Sequence, residues 1–141
     1  MKHVFAILLV ALSLTTPSAA SDLQSFRSPS DNIHCIAARA DNETIYGSVE
    51  CEIAEASGAL ALPKPSDCEL EWGGRFIVNQ TGRSEMVCHG DTLRNEGTPI
   101  LLYGSGIQFG GITCEVSEGG VECKNAEGRG FFLSKARQKL F

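Results

Sequence analysis

The chain has 141 residues, six cysteines, 15 glycines and a formal net charge of −5. That length sets a single domain able to bury a modest core. The acidic balance excludes nucleic acid and anionic membrane as natural partners, while remaining compatible with a basic one.

The N-terminus reads as an export signal. Met1-Lys2-His3 is a short basic start, Val4 through Leu12 is apolar, and Pro17-Ser18-Ala19-Ala20 supplies the small residues of a cleavage site after Ala20. The apolar run is too short for a membrane span. Residues 1–20 are therefore expected to be removed. Residues 21–141 remain as one soluble periplasmic or extracellular domain with 11 basic and 17 acidic side chains, a charge of −6.

Beyond the signal, glycines punctuate short segments of alternating apolar and polar residues, the pattern of an all-β domain. Strands are predicted near 33–38, 45–53, 74–79, 84–88, 98–103, 107–109, 111–117, 120–124 and 129–133. Residues 54–67 carry Pro63 and Pro65 and read as an irregular crossover. At the end, Ser134 is placed to cap a short helix whose Lys135, Arg137 and Lys139 suit its C-terminal half.

An even set of cysteines behind an export signal predicts disulfides rather than thiol or metal chemistry. The six are Cys35, Cys51, Cys68, Cys88, Cys114 and Cys123. Five have an apolar residue two positions earlier: Ile33, Val49, Met86, Ile112 and Val121. Positions i and i+2 of a strand share a face, so these five cysteines are expected to point inward.

The segment from Cys114 to Cys123 fits a hairpin turning at Glu118-Gly119. That register pairs Ser117 with Gly120, Val116 with Val121, Glu115 with Glu122 and Cys114 with Cys123, close enough for a bridge. The turn cluster Asp41 through Thr44 favours Cys35–Cys51, which leaves Cys68–Cys88. Nearest-neighbour pairing is one of the several connectivities six cysteines allow. Each closure is worth about 3 kcal/mol.

The chemistry-bearing residues are few. His34-Cys35 and Cys88-His89 cannot form Cys–His dyads, because strand neighbours point to opposite faces; both histidines are expected to face solvent. No Cys-x-x-Cys and no zinc-finger spacing exists, so neither cofactor nor metal is expected. A site of His34, His89 and Asp91 is the weak metal alternative. Asp91, in Gly90-Asp91-Thr92, reads first as a turn acid. With Glu69 or Glu71 it would form the carboxylate pair of a secreted hydrolase. No serine elbow or phosphate loop is present, and no catalytic residue is assigned.

Glu115 opposite Glu122 places two like charges across a strand pair, which a basic partner or the diagonal Lys124 would compensate. Trp72, beside Gly73-Gly74, with Tyr103 and Phe109, forms the candidate aromatic patch. Asn42-Glu43-Thr44 and Asn79-Gln80-Thr81 match the glycosylation pattern and are read as turns. Candidate binding residues are thus Trp72, Asp91, Glu115 and Glu122.

Several further motifs line up in order over nearly the whole chain. They are Phe26-Arg27-Ser28-Pro29-Ser30-Asp31-Asn32-Ile33-His34-Cys35, Trp72-Gly73, Val87-Cys88-His89-Gly90-Asp91-Thr92, Leu102-Tyr103-Gly104, Gly111-Ile112-Thr113-Cys114, Gly120-Val121-Glu122-Cys123-Lys124-Asn125 and Gly128 through Ser134. Together they resemble a family of small secreted bacterial proteins of unknown function. Asp31 stands where that family's pattern shows glycine. The resemblance implies export and a disulfide-stapled fold, and implies no activity.

The expectation is a small antiparallel sandwich or barrel with three disulfides and a short C-terminal helix. Its function is expected to be that of an exported, non-enzymatic binding protein, in one form an inhibitor of a basic protein. A secreted hydrolase and a structural cell-envelope protein are the alternatives.

Overall fold

A computed structural model describes residues 24–39 and 46–141. The export signal and the turn around Asn42 lie outside the described residues. Among the described residues, ten strands form two five-stranded antiparallel sheets. The first is a meander of β1 (Ser25–Arg27), β2 (Ile33–Arg39), β3 (Tyr46–Ile53), β4 (Arg75–Asn79) and β5 (Glu85–Met86). The second is a meander of β6 (Ser105–Phe109), β7 (Ile112–Ser117), β8 (Gly120–Lys124), β9 (Gly130–Leu133) and β10 (Gln138–Leu140). Their apolar faces meet in one core, where Phe26 stacks on Phe109 and Phe76 packs against Phe131.

The three bridges join Cys35 to Cys51, Cys68 to Cys88 and Cys114 to Cys123, the nearest-neighbour set. The β7–β8 register matches the expected hairpin at every pair from Cys114–Cys123 to Ser117–Gly120. Gly120 sits at φ 146°, and a Cβ there would lie 2.2 Å from the Leu133 carbonyl oxygen. Only glycine admits β9 this close to the turn.

Four corrections to the sequence expectations follow. The C-terminal segment is not a helix: among the described residues there is none. Gln138–Leu140 is instead β10, paired antiparallel to β9, after a turn in which Ser134 and Arg137 exchange backbone hydrogen bonds. Ser134 Oγ accepts from the Arg137 N–H, but the turn closes a hairpin. Pairing with an open sheet edge outweighs the marginal stability of an eight-residue helix.

The predicted strand 98–103 is not a ladder strand either. Residues 99–101 lie parallel along the edge of β1, bridging Arg27 to Ile100, and so cover that edge. Cys88 is exposed, against the inward expectation, because β5 ends at Met86; Cys68 is buried instead. His34 is 2% exposed rather than solvent-facing. Thr92 and Leu93, in the connection that joins the meanders, hydrogen-bond Glu52, the cross-strand partner of His34.

The two meanders are internal counterparts. Across the first sheet the register runs Phe26–Cys35–Cys51–Phe76–Met86. Across the second it runs Ile107–Cys114–Cys123–Phe131–Leu140. Val49-Glu50-Cys51 corresponds to Val121-Glu122-Cys123. Equivalent residues meet one another across the core, Cys51 with Cys123 and Phe76 with Phe131. Self-matching contacts of this kind mark an approximate two-fold relation.

Candidate functional site

The halves differ most on their outer faces. In the first half, Glu52 pairs across the strands with Arg75; the corresponding positions in the second half are Lys124 and Gly130. Arg75 is only 4% exposed, on the face away from the core. Its Nη2 donates to Glu52 Oε2 (2.9 Å) and to the Asp91 carbonyl (2.7 Å), and its Nη1 donates to Asp91 Oδ1 (2.8 Å). Nε faces Glu50 Oε1 at 3.4 Å, within ion-pair range but without hydrogen-bond geometry.

Glu52 also accepts from Thr92 Oγ1 (2.8 Å) and from the Leu93 N–H (2.6 Å). One buried guanidinium and one buried carboxylate thus pin residues 91–93 to the sheet. Burial works to raise the Glu52 pKa. The Leu93, Thr92 and Arg75 hydrogen bonds overcome it and hold the carboxyl below its usual range. Glu50 lacks such donors, and burial leaves its pKa raised despite Arg75.

The pinned segment delivers Arg94 to Asp31, Nη2 to Oδ2 at 3.3 Å. Asp31 is the one non-glycine at positive φ among the described residues, at 59°. That left-handed conformation favours glycine and costs a side chain about 1 kcal/mol or more. Its carboxylate gathers three donors: Arg27 Nη1 (2.8 Å), His34 Nε2 (3.0 Å) and Arg94. Desolvation works to raise the Asp31 pKa. The Arg27 hydrogen bond and the charges of its neighbours prevail and lower it. An ionised carboxylate only accepts, so Nε2 is the donor in this pair, and the buried Nδ1 has no hydrogen-bond partner among the described residues.

Asp31 lines a groove of about 440 Å³. Its walls come from the 28–33 loop, Glu55, Arg94, Tyr103, the β7–β8 turn from Ser117 to Gly120, and Ser134-Lys135. Asn32 exchanges two hydrogen bonds with the Glu55 backbone, and Lys135 pairs with Glu55 at 3.0 Å. The groove therefore contains its own charge compensation. Three features that are costly alone lie in or behind its wall: a strained Asp31 in the lining, a buried His34 bonded to Asp31, and a buried Arg75 network anchoring the residues before Arg94. Such departures from local rules concentrate at functional sites.

The predicted site residues are dispersed. Asp91 is exposed and bound to Arg75; the carboxylates sharing that arginine are Glu50 and Glu52, not Glu69 or Glu71. Trp72 donates Nε1–H to the Leu62 carbonyl and lines a separate cleft of about 300 Å³ with Glu71 and His89. Tyr103 belongs to the groove, and Phe109 to the core. Glu115 does face Glu122, but Lys124 reaches Glu122 (3.4 Å), its own strand neighbour, rather than Glu115. His34 and His89 serve different partners: Asp31 for one, and the Asp91 carbonyl (2.8 Å from Nδ1) for the other. The nearest metal-like grouping, Cys35, Cys51 and Cys123, consists of bridged sulfurs with no thiolate to offer.

Sequence reasoning missed Arg75 and Arg94 altogether, and read Glu52 only as one of several outward-facing acids. For Asp31 it had one signal, an acid in a glycine position.

Fold and site together define a small disulfide-stapled β-sandwich with a preformed polar groove. Three bridges are typical of oxidising compartments, and no helix among the described residues is long and apolar enough to cross a membrane. Residues 6–141 match a family of unknown function, DUF6636, and the chain belongs to that family. No curated protein and no solved structure matches it.

Proposed function

We propose that this chain is an exported, non-enzymatic binding protein whose ligand occupies the groove beside Asp31. The observation that carries this is the convergence of Arg27, His34 and Arg94 on one carboxylate held at positive φ in the groove wall. Export rests on the N-terminal sequence and agrees with three bridges. A binding role fits a rigid scaffold whose groove acids Asp31 and Glu55 are paired with cations and whose cysteines are all oxidised.

A basic protein partner, the finer expectation, is favoured by a different surface. Glu115 and Glu122 oppose each other on the outer face of the second sheet, and a single lysine answers them. Electrostatic steering would bring a basic partner there.

The test of the groove is crystallography of the exported protein soaked with several small organic probes. Different probes should superpose in the groove between Asp31, Tyr103 and the β7–β8 turn. Probes gathering only at the Trp72 cleft would overturn the assignment.

A further inference from the structure

Resting on the groove assignment, we infer that its ligand is a neutral polyhydroxylated ring compound, a short oligosaccharide, packed on Tyr103. Charge comes first. The two cationic heads of the groove, Arg94 and Lys135, are already paired with Asp31 and Glu55. A neutral polar ligand leaves both pairs intact. Glu118, in the β7–β8 turn, is the remaining lining acid.

The hydrogen-bonding groups come next. Arg94 is about half exposed and uses one Nη on Asp31, so its other N–H groups are free to face a ligand. Asp31 and Glu55 keep carboxylate lone pairs, and Ser30 and Ser117 add hydroxyls. The lining therefore offers both donors and acceptors, as vicinal hydroxyls require.

The aromatic surface completes the site. Tyr103 is 44% exposed at the groove, although large aromatics in so small a domain normally pack inside, as Phe26, Phe76, Phe109 and Phe131 do. An exposed ring beside convergent polar groups offers a flat apolar face to the C–H side of a sugar. A groove of about 440 Å³ is of the size that holds small ligands. The pinned 91–93 segment and the Cys114–Cys123 hairpin hold its two walls, so little ordering cost is left for binding.

The test is an NMR titration of ¹⁵N-labelled exported protein with short neutral oligomers of glucose and of N-acetylglucosamine, with oligolysine as a separate arm. The expected result is that amide signals of Asp31, Asn32, Tyr103 and Gly119 shift with at least one sugar series. Tyr103→Ala should then weaken binding about tenfold while Tyr103→Phe stays within about twofold. Because Tyr103 is exposed, both variants keep the fold. If no sugar shifts the groove signals while organic probes still occupy the groove in the crystal, the ligand class is wrong and the site stands. If sugars shift only signals away from the groove, or probes avoid it, both the class and the site are overturned.

Discussion

The sulfur of Cys51 lies 3.9 Å from the sulfur of Cys123. The Cys35–Cys51 and Cys114–Cys123 bridges therefore touch at the centre of the sandwich, one from each sheet. Each links the second and third strands of its meander, so the contact joins equivalent points of two matching halves. These bridges staple the hairpins and also form the middle of the core.

Accessibility separates the third bridge from these two. Cys35, Cys51, Cys114 and Cys123 are at most 2% exposed, whereas Cys88 is open to solvent. Mild reduction followed by alkylation and peptide mass mapping should label Cys68 and Cys88 first. Removing Cys35–Cys51 by double alanine substitution should cost about 3 kcal/mol or more, since the packed sulfurs are lost with the loop closure. Early labelling of Cys114 or Cys123 would contradict the stacked arrangement.

Strand alternation gives a neighbouring-residue test. Phe131 is fully buried against Phe76, while Phe132 lies on the outer face under the Arg137 guanidinium. Phe131→Ala should lower the unfolding free energy by about 3–5 kcal/mol in urea. Phe132→Ala should lower it by only about 1 kcal/mol.

Arg75 holds Glu52 and Asp91 together, so its removal leaves Glu52 buried beside Glu50 without their cation. Arg75→Met should destabilise by about 3 kcal/mol, and adding Glu52→Gln should restore part of that loss. Amide exchange at Leu93 and Arg94 should accelerate in the single variant, since their anchor on Glu52 is disturbed.

Asp31→Gly separates backbone strain from side-chain function. Glycine is at ease at φ 59°, so the urea midpoint should hold or rise. The tie from Asp31 to Arg94 is lost, and Arg94 side-chain NMR signals should show increased mobility with weakened groove binding. A large fall in stability with unchanged Arg94 mobility would contradict the role given to Asp31.

The carboxylates set the acid response. Glu52 and Asp31 have lowered folded pKa values, so their stabilisation is complete above the unfolded values near pH 4. It is lost as pH falls through the folded values. Glu50 is raised, so its contribution is present below its unfolded value and is lost as pH rises through the folded one. Urea midpoints between about pH 7 and about pH 3 should therefore fall on the acid side. Glu52→Gln should flatten that fall, and Glu50→Gln should leave it in place.

Much of the fold was legible because its signals are local. The apolar residue two before Cys35, Cys51, Cys114 and Cys123 marks the inner face, and Glu118-Gly119 marks the turn, so the Cys114–Cys123 register could be read directly. The C-terminal segment was misread because Ser134 and the basic residues after it satisfy helix rules locally. What decides there is the open edge of β9, which lies outside that segment. The groove was hardly legible. Arg94 reaches Asp31 across 63 positions, Arg75 meets Glu52 across 23, and no spacing rule links them. The pairing of Val49-Glu50-Cys51 with Val121-Glu122-Cys123 was visible as text, but its meaning as a two-fold relation needed the sheets.

The most direct test of the groove is a ¹⁵N NMR titration of the protein against fractionated extract of the envelope of its source cells. The groove account predicts shifts confined to Asp31, Asn32, Arg94, Tyr103 and Gly119, abolished in Asp31→Lys. Shifts confined to Glu115, Glu122 and their neighbours on the outer face of the second sheet would contradict it and favour the basic-partner surface.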